Sequence, residues 1–69
     1  MQSNWIPSNM KLPQDGELKL ASVREGNYYY YEILRYNIFN NYWMFKDEAR
    51  INDDISVRAW ADLLPLYTG

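Results

Sequence analysis

Residues 27–36 read Asn-Tyr-Tyr-Tyr-Tyr-Glu-Ile-Leu-Arg-Tyr, and this stretch decides the fold. Aromatic and branched side chains at this density favour a β-strand over a helix. Residues 17–24 before it, Glu-Leu-Lys-Leu-Ala-Ser-Val-Arg, begin with alternating polar and apolar side chains, and residues 25–27, Glu-Gly-Asn, are a turn signal of hairpin length. The alternation slips at Ala21-Ser22, which places Val23 on the other face unless a β-bulge intervenes. The sequence therefore predicts a β-hairpin.

Two shorter segments predict further strands. Residues 42–45, Tyr-Trp-Met-Phe, form a short apolar run, and residues 55–59 alternate again up to Trp60. Between them, residues 46–54 are a charged connection with room for one helical turn. We expect a mainly β fold, with α+β as the alternative. It would contain a small antiparallel sheet of about four strands, with irregular N- and C-terminal segments docked on the core.

The last segment also fits a helix. Its apolar residues at helical spacing are Val57, Trp60, Ala61 and Leu64. However, Pro65 disfavours helical backbone at Leu64, and the length that remains is too short for a stable helix. We therefore favour a strand that runs into Trp60, followed by an extended exit.

Both ends of the chain carry a tryptophan followed by a leucine–proline pair. Large aromatic side chains near chain ends normally need packing partners, so we expect the ends to dock on one core in a single domain over residues 1–69. The predicted core residues are Trp5, Ile6, Leu12, Leu34, Val57, Trp60 and Leu64.

The composition argues against most catalytic chemistry. The chain of 69 residues has no cysteine and no histidine, which removes disulfides, the usual zinc ligands, the thiol nucleophile and the commonest general base. The serines have no lysine or carboxylate at a diagnostic spacing, and the three glycines stand apart, so no phosphate-binding loop is present. We therefore predict a non-enzymatic protein without a metal site or a cofactor.

Charge and hydropathy limit the partners and the location. A formal net charge of −2 argues against a dedicated nucleic-acid binder. No stretch approaches the roughly 20 apolar residues that span a bilayer, so we expect no membrane segment. Residues 2–4, Gln-Ser-Asn, do not resemble the start of a signal peptide, and we expect a cytoplasmic location.

The run of four tyrosines makes both faces of the predicted strand aromatic. One face carries Tyr28, Tyr30, Glu32, Leu34 and Tyr36, and the other carries Tyr29, Tyr31, Ile33 and Arg35. Either the second face lies at the surface with its hydroxyl groups in water, or it meets a partner, since tyrosine is enriched at interfaces. A dimer or larger oligomer that buries this face would also support a small core. The candidate partner-binding residues are Tyr29, Tyr31, Arg35 and Trp43.

A second kind of binding site is also compatible with the sequence. Aromatic rings can sandwich a base and guanidinium groups can hold a phosphate, so a small nucleotide could bind here, between two subunits in particular. The cations set among the aromatic residues are Arg24, Arg35, Lys46 and Arg58.

The end motifs resemble a family of small phage and prophage proteins of unknown function. They are Asn4-Trp5-Ile6-Pro7, Lys11-Leu12-Pro13 with Asp15-Gly16, and residues 57–65, Val-Arg-Ala-Trp-Ala-Asp-Leu-Leu-Pro; between them the strands and the pair Tyr42-Trp43 match the family loosely. The resemblance covers nearly the whole chain, although only the end motifs are specific. This chain departs from the family in one extra residue after Trp60 and in residues 66–69, which replace a proline-rich tail.

The resemblance implies a phage or prophage source and a small β-rich domain. Phage accessory genes often encode short proteins that act on the host, and by this analogy we expect a binding protein that inhibits or redirects a host bacterial protein. The target could be a defence component such as a CRISPR effector. The alternatives are a protein that sequesters a nucleotide signal and a structural or assembly protein of the phage particle.

Overall fold

The computed structural model describes residues 5–63, and in this range the chain forms one antiparallel sheet of five strands without a helix. The strands are β1 (Ile6–Pro7), β2 (Leu18–Glu25), β3 (Tyr28–Asn37), β4 (Tyr42–Met44) and β5 (Ile55–Asp62), and their order in the sheet is β1-β5-β2-β3-β4. The predicted mainly β fold is confirmed. The fifth strand is β1, which lies in the N-terminal segment that was expected to be irregular.

The hairpin of β2 and β3 forms the centre of the sheet. The two strands pair without a shift from Glu25 opposite Tyr28 to Leu18 opposite Arg35. Gly26 has a φ of +61°, whereas Asn27 is absent from the residues with positive φ. A positive φ at the first central position alone defines a type II′ turn, which matches the natural twist of a hairpin.

A β-bulge lies in β5 and not in β2. Ser22 pairs with Ala59 and Val23 pairs with Val57, so Arg58 is the extra residue. Because β2 keeps its regular alternation, Val23 lies on the face opposite Leu18 and Leu20, as the sequence predicts for a strand without a bulge.

One face of the sheet forms the core and is called the core face here. Its buried residues are Ala21, Val23, Leu34, Tyr36, Trp43 and Trp60, and the partly buried residues packed against them are Ile6, Tyr30, Phe45, Ile51, Ile55 and Val57. Phe45 and Ile51 come from the connection between β4 and β5, so this connection covers part of the core face.

The connection between β1 and β2 covers another part of the core face. The indole Nε1–H of Trp60 donates a hydrogen bond of 2.8 Å to the carbonyl oxygen of Lys11, and Pro13 is fully buried. The hydrogen bond from Trp60 and the burial of Pro13 therefore dock this connection on the core.

A buried lysine joins the same segment to the two central strands. Lys19 of β2 is only 4% exposed, and its ammonium group contacts Asp15 at 3.0 Å and Asp62 of β5. It also lies 5.3 Å from the centre of the Trp60 ring. Burial disfavours the ammonium charge, but the hydrogen bonds to Asp62 and Asp15 outweigh this cost and raise the pKa of Lys19.

The predicted core is partly correct. Leu34 and Trp60 are buried, and Ile6 and Val57 pack against the cluster. Leu12 was predicted as a core residue wrongly: it is 37% exposed, and the neighbouring Pro13 is buried instead. In an extended segment adjacent side chains point in different directions, and only one of this pair can face the core. Leu64 lies outside the described residues.

Within residues 5–63, no helix is long and apolar enough to cross a membrane.

Candidate binding surface

The sheet face opposite the core carries exposed aromatic side chains and is called the open face here. Strand pairing assigns to it Pro7 of β1, Leu18, Leu20, Ser22 and Arg24 of β2, Tyr29, Tyr31, Ile33, Arg35 and Asn37 of β3, Tyr42 and Met44 of β4, and Ser56, Ala59 and Ala61 of β5. Tyr29 and Tyr31 are 68% and 67% exposed. Three of the four predicted partner-binding residues, Tyr29, Tyr31 and Arg35, therefore share this face.

Trp43 does not belong to this surface, and its assignment there was wrong. It pairs with Tyr36 across β3 and β4, so both side chains lie on the core face. Trp43 is 8% exposed, and its ring meets the Tyr36 ring edge to face with centroids 5.2 Å apart. The pairing set by the loop between β3 and β4 decides this orientation, and an isolated aromatic run does not reveal it.

Trp5 was predicted as a core residue, but it packs on the open face. Its ring stacks on Tyr31 with centroids 5.7 Å apart and an interplanar angle of 10°. Because β5 and β2 lie between β1 and β3, the stacked rings extend over these two central strands. Trp5 remains half-buried, and the stack holds the Tyr31 ring in one orientation.

The guanidinium group of Arg24 packs over the ring of Tyr29, the second exposed tyrosine. Arg24 and Tyr29 are directly opposite in the hairpin, and the guanidinium carbon lies 5.7 Å from the centre of the Tyr29 ring. The Nε–H of Arg24 donates a hydrogen bond of 2.8 Å to the carbonyl oxygen of Gly26. The type II′ turn, Arg24 and Tyr29 therefore form one ordered unit at the end of the hairpin.

The cations considered for a nucleotide site do not converge. Arg24 and Arg35 lie at opposite ends of the hairpin, which separates them by about 20 Å at the rise of a β-strand. Arg35 contacts Glu48 at 4.0 Å beside an open groove of about 410 Å³, and Lys46 lines a different groove. Trp5 and Tyr31 stack on each other, so no gap for a base remains between them.

Charge differs between the two faces of the sheet. The strand residues of the open face include two arginines and no carboxylate, although the chain has a net charge of −2. The carboxylates Glu25, Glu32 and Asp62 lie on the core face. The open face is therefore the more positive face of the sheet.

Among the described residues, no three histidine, cysteine or carboxylate groups come close enough to hold a metal ion. The pKa of Tyr30 is raised by burial and by its hydrogen bond to Glu25, so its hydroxyl group stays protonated and helps to hold the hairpin.

No protein-family model, curated protein or solved structure matched the chain.

Proposed function

We propose that this chain is a phage-encoded, non-catalytic binding domain that uses its open face to hold a host bacterial protein and to inhibit or redirect it. The observation that supports this function most directly is the exposure of Tyr29 and Tyr31 on a sheet face that is stacked and ordered by Trp5 and Arg24. The phage source rests on the end motifs around Trp5 and Trp60.

The fixed orientation of the two exposed tyrosine rings favours binding. A tyrosine that is already fixed loses little side-chain entropy when a partner covers it, and tyrosine, tryptophan and arginine are the residues that most often dominate interface energetics. Here the contacts of Tyr31 with Trp5 and of Tyr29 with Arg24 supply this order before binding.

The charge of the face indicates the chemistry of the partner surface. Since the strand residues of the open face carry arginine and no carboxylate, the complementary surface is apolar at its centre and acidic at its rim. A host protein with such a surface, for example a defence component such as a CRISPR effector, would be blocked by occlusion of that surface.

The test is affinity capture from host lysate with three forms of the protein. The wild type should retain one host protein in a stoichiometric amount. A variant with Tyr29→Ser and Arg24→Glu should lose it, because it removes an exposed ring and reverses the charge of the face. The matched control is Tyr28→Ser, since Tyr28 is 78% exposed but lies on the other face, and this variant should retain the host protein.

Equal capture by all three forms would contradict the role of the open face. Nucleotide released from the heat-denatured protein, without a captured host protein, would instead support sequestration of a nucleotide signal. If neither a captured host protein nor a released nucleotide is found, and the protein is present in purified virions, the result would support a structural or assembly role.

A further inference from the structure

The outer edge of β3 is unpaired over most of its length. β4 pairs only with Arg35, Tyr36 and Asn37, which leaves residues 28–34 without a neighbouring strand on that side among the described residues. This is the tyrosine run itself, so an edge of about seven residues presents backbone hydrogen-bonding groups beside exposed rings.

The type II′ turn shows which peptide groups point outward. In a two-residue turn the carbonyl of Glu25 accepts from the N–H of Tyr28, so Tyr28 and every second residue after it bond to β2. The N–H and C=O groups of Tyr29, Tyr31 and Ile33 therefore point away from β2. Arg35 and Asn37, the next residues with outward groups, reach β4.

This edge lacks the features that protect the other edges of the sheet. At the opposite side, β1 contains Pro7, and β5 bends at the bulge of Arg58. The outer side of β4 is bridged by Arg50. Along residues 28–33 there is no proline, no lysine, no arginine and no shift in pairing with β2, and Glu32 is the only charged side chain.

We propose that two copies of this chain pair antiparallel along the edge of β3 and form a continuous ten-stranded sheet. Tyr29 of each copy lies opposite Tyr31 of the second copy, about a two-fold axis at Tyr30. This register aligns outward peptide groups on both strands, and it gives four backbone hydrogen bonds and three aromatic cross-strand pairs, the third of which joins the two copies of Tyr30. Glu32 then faces Tyr28 of the second copy, so no like charges meet.

The position of Lys46 favours the register centred on Tyr30 over the alternative register centred on Tyr31. A shift that places Tyr31 on the two-fold axis would extend the pairing to Ile33, where Lys46 lines the same groove as Glu32 and Ile33. The register centred on Tyr30 pairs residues 28–32 and leaves Ile33 outside the contact. The contact is small and belongs to the weak class of specific interfaces, so the dimer forms with rising concentration.

The test uses proline at an outward position. Sedimentation at concentrations up to about 1 mM, which detects weak specific association, should show a dimer for the wild type. Tyr29→Pro should be monomeric over the same range, because it removes an outward N–H without removing a hydrogen bond to β2. Tyr29→Val removes the same ring but keeps the N–H, and it should still dimerise.

A wild type that stays monomeric, or a dimer that Tyr29→Pro does not weaken, would overturn the proposal. If Tyr29→Pro does not fold, amide exchange in the wild type decides the question. The amides of Tyr29 and Tyr31 should exchange at least about tenfold more slowly in concentrated than in dilute solution, and equal rates would exclude edge pairing.

Discussion

At the residue scale, Lys19 illustrates how one buried charge can join distant parts of a chain. Its ammonium group lies between Asp15 of the N-terminal segment and Asp62 of β5, and both carboxylates are more than half exposed. The free-energy cost of desolvation therefore comes mainly from burying the ammonium group of Lys19, because the two aspartates keep much of their contact with water.

This asymmetry predicts different costs for removing each side of the cluster. Replacing both carboxylates, with Asp15→Asn and Asp62→Asn, leaves a buried charge without a counter-charge and should lower the free energy of unfolding by about 2–3 kcal/mol. Lys19→Met should cost about 1 kcal/mol or less, because the methionine fills the space and the aspartates hydrate. Urea denaturation of both variants measures the difference, and a larger loss for Lys19→Met would contradict the argument.

The buried position of Lys19 could not be predicted from the sequence. Lysine is normally exposed, and alternation in β2 made Leu18 and Leu20 look like the apolar side. Its partner Asp62 is 43 residues away, and only the pairing of β2 with β5 brings the two together. Trp43 was misplaced for a related reason, since its face depends on the pairing of β4 with β3.

At the element scale, the β2–β3 hairpin was predicted to within one residue at each end of its strands. The dense aromatic run and the Gly-Asn turn are local sequence preferences. Such preferences predict the observed element correctly when the tertiary structure favours the same conformation. The buried side of the hairpin was not predictable, because tyrosine alternates with tyrosine and gives both faces similar hydropathy.

The turn of this hairpin gives a prediction about Gly26. Its φ of +61° is strained for a residue with a side chain, although no atom lies within 4 Å of an added Cβ. Gly26→Ala should therefore lower the free energy of unfolding by about 1 kcal/mol through backbone strain alone. Asn27→Ala is the control, and thermal unfolding should show a smaller change for it because Asn27 lacks a positive φ.

At the scale of the whole molecule, the two tryptophans near the chain ends have different roles. Trp60 is 4% exposed, belongs to the core and donates a hydrogen bond to Lys11, whereas Trp5 is half-buried on the open face. The similar motifs around them in the sequence gave no indication of this difference.

Alanine substitution should separate the two roles. Trp60→Ala should lower the free energy of unfolding by about 3–5 kcal/mol, which is close to the total stability of many small domains. Trp5→Ala should cost about 1–2 kcal/mol, because Trp5 is half-buried on the open face and does not belong to the core cluster. Chemical denaturation measures both, and equal losses would show that Trp5 also supports the core.

The unequal protection of the two sheet margins limits how far copies of this chain can assemble. A strand added beside β3 finds free peptide groups, whereas Pro7 and the bend at Arg58 make the β1–β5 margin a poor template. In the proposed dimer, the two-fold contact uses the β3 margin of both copies, so no unprotected margin of the described residues stays open once the pair exists. Such an assembly would end at two copies, and the tyrosine-rich edge would then be closed to the addition of further chains in a fibril.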